Sequence, residues 1–350
     1  MIRKSRYLLY PISLLYSFIL WVRNFLYDKN ILKSAAFNFP IICVGNLATG
    51  GTGKTPMTEY LVEMLMHRYK VATLSRGYKR KTKGFAIAHA GTTAIQIGDE
   101  PMQFHQKFPD VTVSVGEERL VAIPQLLHDR PETEVIILDD AFQHRQVRAG
   151  LNILLTEYKN PYVSDEVLPA GNLRDNISSA SRANVIVVTK CPHIGEAEKN
   201  KMVKRLRPLA NQKVFFTKIV YAAPLHLFSK ITATPGRDTA ILLLFGIANP
   251  APLISHAKDS FNKVELMEFN DHHIFRTDDL QNIRKNFERL ESTKKIILTT
   301  EKDGVRLEKF RNELEDYPIY VLPMKHEFLF NDGSKFESSV VEFIESNKLK

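Results

Sequence analysis

Apolar residues recur along this chain with two alternating periods. Short unbroken runs occur at Ile41-Ile-Cys-Val-Gly-Asn46, Lys70-Val-Ala-Thr-Leu-Ser75, residues 111–115, Glu134-Val-Ile-Ile-Leu-Asp139, residues 151–156 and Asn184-Val-Ile-Val-Val-Thr-Lys190. Such runs are expected of strands buried on both faces. Helical patterns separate them at 58–69, from Gly98-Asp-Glu-Pro101 onward with Pro101 in the first turn, and at 119–128. Residues 81–98 carry only short β-like pieces. Alternating strands and helices predict an α/β fold, a doubly wound and mainly parallel sheet. Val214-Phe-Phe-Thr-Lys-Ile-Val-Tyr221 alternates as an extended strand and 232–237 is turn-rich, so 214–237 reads as a β-strand linker. A second, smaller α/β unit then runs from 238 to 350. It contains Thr239-Ala-Ile-Leu-Leu-Leu-Phe-Gly246, Lys294-Lys-Ile-Ile-Leu-Thr-Thr300 and Ile319-Tyr-Val-Leu322. Its last helix, expected at 338–347, is free to pack on the first domain, which occupies 31–213.

The first 30 residues predict an amphipathic helix. Leu8, Ile12, Leu15, Ile19, Val22 and Leu26 recur at spacings of three and four, with Ser13 and Ser17 off the stripe. Residues 7–22 are uncharged, with Arg3, Lys4 and Arg6 before them and Arg23 after. The uncharged run is shorter than the ~20 residues of a spanning helix. Basic flanks, Trp21 and several tyrosines suit a helix lying in a membrane interface. Docking of the stripe on the protein's own core is the alternative. A signal peptide is disfavoured, because no small-residue cleavage site follows.

The strongest chemical signal follows the strand at 41–46. Thr49-Gly-Gly-Thr-Gly-Lys-Thr55 reads as a phosphate-binding P-loop leading into a helix, with Ala48 where the first glycine usually stands. Gly50, Gly51 and Gly53 can take backbone angles closed to other residues, so successive N–H groups can ring a phosphate. The helix N-terminus adds its partial positive charge. Lys54 would reach the β- and γ-phosphates and the Thr55 hydroxyl would ligate Mg²⁺. Thr49 and Thr52 complete the loop. Asp139 and Asp140 end a buried strand, where ligands of open α/β sheets bind, and one of them should hold the metal. ATP and Mg²⁺ are therefore the expected cofactors.

Net charge is +9 over 350 residues, which favours an anionic partner. No nucleic-acid module is recognisable, so a nucleic-acid-dependent NTPase is a weak reading and a charged membrane surface suffices. The cysteines, Cys43 and Cys191, lie beside strands and read as reduced core thiols, as in a cytoplasmic compartment.

In their order, these motifs resemble the tetraacyldisaccharide 4′-kinase family. The resemblance rests on the loop at 44–56, Leu74-Ser-Arg-Gly-Tyr78, Gly98-Asp-Glu-Pro101, Asp139-Asp-Ala-Phe-Gln-His-Arg145 and Leu168-Pro-Ala-Gly-Asn-Leu-Arg174. Asp271-His-His273 and Thr300-Glu-Lys-Asp303 extend it over nearly the whole chain. Two departures stand out: Ala141 where the family has Gly, and Asp175 where it commonly has Glu. The resemblance implies a kinase at the cytoplasmic face of the bacterial inner membrane. It implies transfer of the γ-phosphoryl of ATP to the 4′-hydroxyl of a tetraacylated glucosamine disaccharide 1-phosphate, with an acylated lipid and the membrane surface as partners. No nucleic acid and no obligate protein partner are implied.

The same resemblance assigns Asp99 as catalytic base, partnered by His272, with His273 as the adjacent alternative. Read alone, Asp99 would be an N-cap. Arg174 would steady the transferring phosphoryl group, and Asp175 would join Asp139 and Asp140 around the metal. The dyad is expected to form across a cleft, with Asp99 on the first domain and His272 on the second. Arg76, Lys79, Arg80 and Lys81 are either a lipid-phosphate patch or a solvated loop. Thr189-Lys190 sits where some P-loop proteins read the base. No role is assigned to Glu301, Lys302 or Asp303. The competing reading is a membrane-associated P-loop ATPase or GTPase switch with a protein partner.

Overall fold

The computed structural model describes residues 6–348; Arg3 and Lys4, the first basic flank of the predicted helix, lie outside them. The chain forms two compact units. The first comprises residues 1–97, 104–220 and 326–350, and the second residues 98–103 and 221–325.

The first unit is built on strands β1 (Ile41–Asn46), β2 (Val71–Ser75), β3 (Thr112–Val115), β4 (Val135–Asp139), β5 (Leu151–Glu157), β6 (Val185–Thr189) and β7 (Lys213–Tyr221). The sheet runs β7-β6-β5-β1-β4-β2-β3, parallel throughout, with Ala86–Ile87 antiparallel at one edge and Met324–Phe328 beyond β7 at the other. β1 is central, with later strands added on both sides. That is the switch-point geometry whose carboxyl-end crevice binds ligands.

Every residue of β1, β2, β4 and β6 is buried, because both faces of the sheet are covered. On one face Ile41, Cys43, Ile136 and Leu138 pack with helices α1 (Tyr10–Asp28), the helix at Arg119–Asp129, and the helix at Glu196–Leu206. On the other, Ile42, Val44, Val135 and Ile137 pack with α2 (Lys54–Leu65) and the last helix, Gly333–Lys348. Phe336, Val340 and Ile344 of that last helix are fully buried here, so it belongs to the first unit. The stretch expected to begin the linker is instead largely a strand of this sheet: Phe215 and Phe216 lie in its two opposite cores.

The N-terminal helix has its polarity inverted relative to an ordinary surface helix. Its buried positions are Ser13, Leu20, Asn24 and Tyr27. Ser17 donates to Asn176 Oδ1 at 2.7 Å, and Asn24 Nδ2 donates to Asp175 Oδ1 at 2.8 Å and Ser179 Oγ at 3.1 Å. Ser13 accepts from the Ala170 amide at 2.9 Å. The apolar stripe at Leu8, Ile12, Leu15 and Ile19 is exposed, together with Leu14, Phe18, Trp21 and Phe25. Among the described residues no helix is long and apolar enough to cross a membrane.

The second unit repeats the layered logic on a smaller scale. Its strands are β8 (Ala240–Phe245), β9 (Lys263–Glu268), β10 (Lys295–Thr300) and β11 (Ile319–Leu322), ordered β11-β10-β8-β9 and parallel, with Leu225–His226 antiparallel at the edge. Leu280, Ile283 and Phe287 of the helix at Thr277–Arg289 cover one face, and Leu253 and Ala257 of the helix at Ala251–Ser260 the other.

Gly45, inside β1, has no room for a side chain: an added Cβ would lie 2.6 Å from Phe142 Cβ and 3.0 Å from its backbone nitrogen. Gly45→Ala is expected to destabilise the first unit by about 1–3 kcal/mol through overpacking. Denaturant unfolding checks this, and an unchanged midpoint would refute the close approach.

Candidate active site

The P-loop is present as a turn held open by its glycines. Gly50 and Gly53 have φ of 115° and 87°, in the left-handed region. An added Cβ at Gly50 or Gly51 would meet nothing within 4 Å, so an open cradle lies over the loop. Lys54 and Thr55 are the first two residues of α2, at the helix end whose N–H groups point outward along the axis. The loop is braced by the segment ending in Arg174. Thr49 N donates to Asn172 O at 2.7 Å and Arg174 N donates to Leu47 O at 2.6 Å.

That bracing brings Arg174 to the carboxylate pair. Asp139 pairs in register with Val44 across the β1–β4 ladder. Thr58 of α2 donates to Asp139 Oδ1 at 3.0 Å. Asp140 follows with φ of 49°, a left-handed turn that Asp tolerates better than most residues. Its carboxylate receives both arms of Arg174, at 2.7 and 3.2 Å, and lies 3.7 Å from Lys54 Nζ. Burial alone would raise this carboxyl; Lys54 and Arg174 outweigh it and hold it below the usual carboxylate range. Asn46, at the end of β1, is fully buried and accepts from Lys54 at 3.2 Å and Arg174 at 2.5 Å through Oδ1. Its Nδ2 is buried without a partner. His144 stays neutral, its pKa pushed down to about 4 by burial and by Arg119 and Arg76.

The Thr55 hydroxyl with Asp139 and Asp140 is the donor set available to Mg²⁺. A hard cation that keeps several waters and phosphate oxygens fits one hydroxyl and one or two carboxylates. Asp175 does not join them. It is fully buried, and its oxygens take Asn24 Nδ2 and the Asn176 amide on one side and Arg182 at 3.2 Å on the other. The residue expected as a metal ligand is a docking point for the N-terminal helix.

The second unit holds a separate acid–base cluster. Asp99 groups with this unit, not with the first, because residues 98–103 do. The dyad expected to form across a cleft is thus contained in one unit. Asp99 Oδ2 accepts from Arg306 Nε at 2.9 Å and Nη2 at 2.7 Å, and His272 Nδ1 lies 3.4 Å away. Lys302 Nζ lies 3.1 Å from His272 Nε2 and 3.0 Å from Glu100. A neutral imidazole has one N–H and one lone pair. Arg306 Nη2 also lies 3.1 Å from His272 Nδ1, so this ring nitrogen is shared between the Asp99 carboxylate and the Arg306 guanidinium, and Lys302 meets the other. His272 has φ of 62°, so a non-glycine residue is held in a sparsely populated conformation here. His273 faces elsewhere: it contacts Asp279 at 2.8 Å and stacks on Phe269.

Asp303 and Arg306 explain the motif that sequence reading left without a role. Asp303 is fully buried; its oxygens accept from Thr300 Oγ1 at 2.7 Å, the Gly246 amide at 2.9 Å and Arg306 at 2.9 Å. Asp303 therefore holds Arg306, and Arg306 holds Asp99. Sequence reading missed Arg306, although its place one helical turn after Asp303 was a usable signal. It also missed Asn46, which nothing but its position at a strand end marked.

A central strand, a glycine loop, a helix N-terminus and a cation-neutralised carboxylate pair at a switch point define a P-loop nucleotide-binding protein of the α/β class. The chain belongs to the tetraacyldisaccharide-1-P 4′-kinase family, whose model matches residues 5–345. It is 44% identical to the tetraacyldisaccharide 4′-kinase of Flavobacterium johnsoniae over 98% of both chains. It is 42% identical to that of Bacteroides thetaiotaomicron over 97% of this chain and 93% of the relative. Among solved structures it is similar to LpxK from Aquifex aeolicus in complex with ATP, with a TM-score of 0.77 and 29% identity over 98% of this chain and 100% of that one.

Arg306→Ala would leave Asp303 buried without its counter-charge. Breaking such a pair costs about 3–5 kcal/mol. Denaturant unfolding should show a loss of that order; a change under about 1 kcal/mol would mean that Arg306 does not anchor the cluster.

Proposed function

We propose that this chain transfers the γ-phosphoryl group of ATP to the 4′-hydroxyl of a tetraacylated glucosamine disaccharide 1-phosphate, the reaction of its family. The observation that carries this reading is the Asp140 cluster: Lys54 and Arg174, both also held by Asn46, converge on one carboxylate beside an open glycine cradle. Phosphoryl transfer asks little covalent chemistry of the protein; it asks for positioning and charge neutralisation. Amides of residues 49–55 would hold the β- and γ-phosphates, and Lys54 would exchange Asp140 for a phosphate oxygen. Arg174, fixed by its backbone bond to the loop, would meet charge on the transferring group. Mg²⁺ held by Thr55, Asp139 and Asp140 would neutralise phosphate charge when bound. Asp99 would take the proton of the attacking hydroxyl, and His272, hydrogen-bonded to Asp99, would share it.

The substrate is a lipid, and the N-terminal helix supports a membrane-surface site for it. Ten large apolar side chains of residues 8–25 are exposed, from Leu8 at 84% to Leu9 at 37%. Burying each is worth roughly 1.5–3 kcal/mol, so partial insertion of this face would hold the protein at a bilayer. The helix would lie in the interface, at the cytoplasmic face of the inner membrane where ATP is available.

Purified protein incubated with Mg-ATP and the tetraacyl-disaccharide 1-phosphate in micelles should yield a product heavier by one phosphate. Asp99→Asn should lower kcat by about 10²–10⁴-fold, the range of general base catalysis. Full activity in that variant would discard Asp99 as base, and ATP hydrolysis indifferent to the lipid would favour the switch reading. Ile12→Glu with Phe18→Glu should abolish co-sedimentation with anionic vesicles while leaving the melting temperature unchanged, since both residues face solvent at 54% and 59% exposure. Unaltered vesicle binding would remove the helix from the membrane.

A further inference from the structure

A P-loop binds anions only if its peptide planes are turned the right way. In a trans peptide the C=O and the N–H point in opposite directions. Amides that face a phosphate therefore send their carbonyls into the protein, where each needs a donor. Glycine at 53 makes this acute, because its backbone does not by itself choose one orientation of the flanking peptides.

Both carbonyls behind this loop are held by side chains from the far half of the sheet. Thr189, at the end of β6 and fully buried, donates to Thr52 O at 2.8 Å. His326 Nε2 lies 2.9 Å from Gly53 O. A carbonyl only accepts, so Nε2 carries the proton and Nδ1 is left with a lone pair. Thr217 of β7, fully buried, supplies the matching donor, its Oγ1 lying 2.9 Å from Nδ1. The ring is thus fixed in one tautomer from both sides. His326 is 4% exposed, and burial pushes its pKa down to about 4, so it remains neutral at physiological pH. It also packs on the loop: a Cβ at Gly53 would lie 3.0 Å from Nε2.

We propose that His326, supported by Thr217 and seconded by Thr189, is a positioning residue for nucleotide binding. By holding the 53–54 carbonyl it aims the Lys54 amide at the phosphates, and Thr189 does the same for the Gly53 amide through the 52–53 peptide. His326 reaches the loop from residues 324–328, more than 270 positions away in sequence, at the strand that ends the sheet beyond β7. The inference rests on the reading of 49–55 as a nucleotide site.

The test compares His326→Leu, His326→Gln and Thr217→Val with wild type and with Lys54→Ala. Three quantities are measured: Mg-ATP affinity by calorimetry, KM for ATP and for the acceptor lipid separately, and melting temperature without nucleotide. His326→Leu leaves the Gly53 carbonyl with the Met57 amide, 3.1 Å away at the start of the helix, as its one remaining donor. It should weaken ATP binding and raise its KM by about tenfold to a hundredfold, leaving KM for the lipid unchanged. His326→Gln, whose amide can donate to the same carbonyl, should recover most of that loss. Thr217→Val should weaken ATP binding about threefold to tenfold by freeing the ring to turn. If His326→Leu does not fold, the Gln and Val variants decide alone. ATP affinity within twofold of wild type in a folded His326→Leu protein, or in Thr217→Val, overturns the proposal. So does a Gln variant impaired for ATP and lipid alike. If Lys54→Ala also binds ATP normally, the nucleotide reading itself fails, a different outcome from failure of His326 alone.

Discussion

The neutralisation of Asp140 organises the nucleotide site. A carboxylate at the buried carboxyl edge of a parallel sheet is unstable unless cations meet it. Here Lys54 comes from the helix after β1, and Arg174 from a loop pinned to the same turn by backbone bonds. Asn46 receives both cations on one oxygen and so fixes their spacing. Three separate stretches of chain converge because one charge requires it. The arrangement is also exchangeable: a phosphate oxygen can take the place of Asp140 on Lys54, and a metal cation can take the place of Lys54 on Asp140.

A second carboxylate, this one fully buried, uses the same physics for another end. Asp175 is as deeply buried as any charge in the chain, yet it faces away from the loop. Arg174 meets Asp140 and Asn46, while the adjacent Asp175 meets Asn24 and Arg182. This explains the unusual polarity of the N-terminal helix. Its serines and asparagine satisfy polar groups of the core, and most of its large apolar residues, Leu20 and Tyr27 excepted, are left outside. A helix docked this way is tied to the protein largely by hydrogen bonds and leaves a hydrophobic face exposed.

In the second unit a chain of charges replaces a single one. Thr300 and the Gly246 amide hold Asp303, Asp303 holds Arg306, and Arg306 holds Asp99 beside His272. Such a relay fixes the position of the Asp99 carboxylate. Cutting it anywhere would loosen the group at its end.

The sequence by itself determined the layered α/β architecture, because runs of buried β-branched residues have few other uses. It also determined the phosphate loop, the Asp139–Asp140 pair and the family, since each is written in contiguous residues. Ser13 and Ser17 were legible as lying off the apolar stripe. What they were for was not, since a helical period does not say which face meets the protein. Asp175 looked like a ligand because proximity in sequence to Arg174 says nothing of side-chain direction. Arg306, Asn46 and His326 were invisible as site residues. Their roles come from contacts spanning 128 to 273 positions. Local pattern encodes local backbone and burial; which distant donor meets which buried acceptor is decided only when the sheets and helices pack, because only then does an unpaired polar group carry a cost.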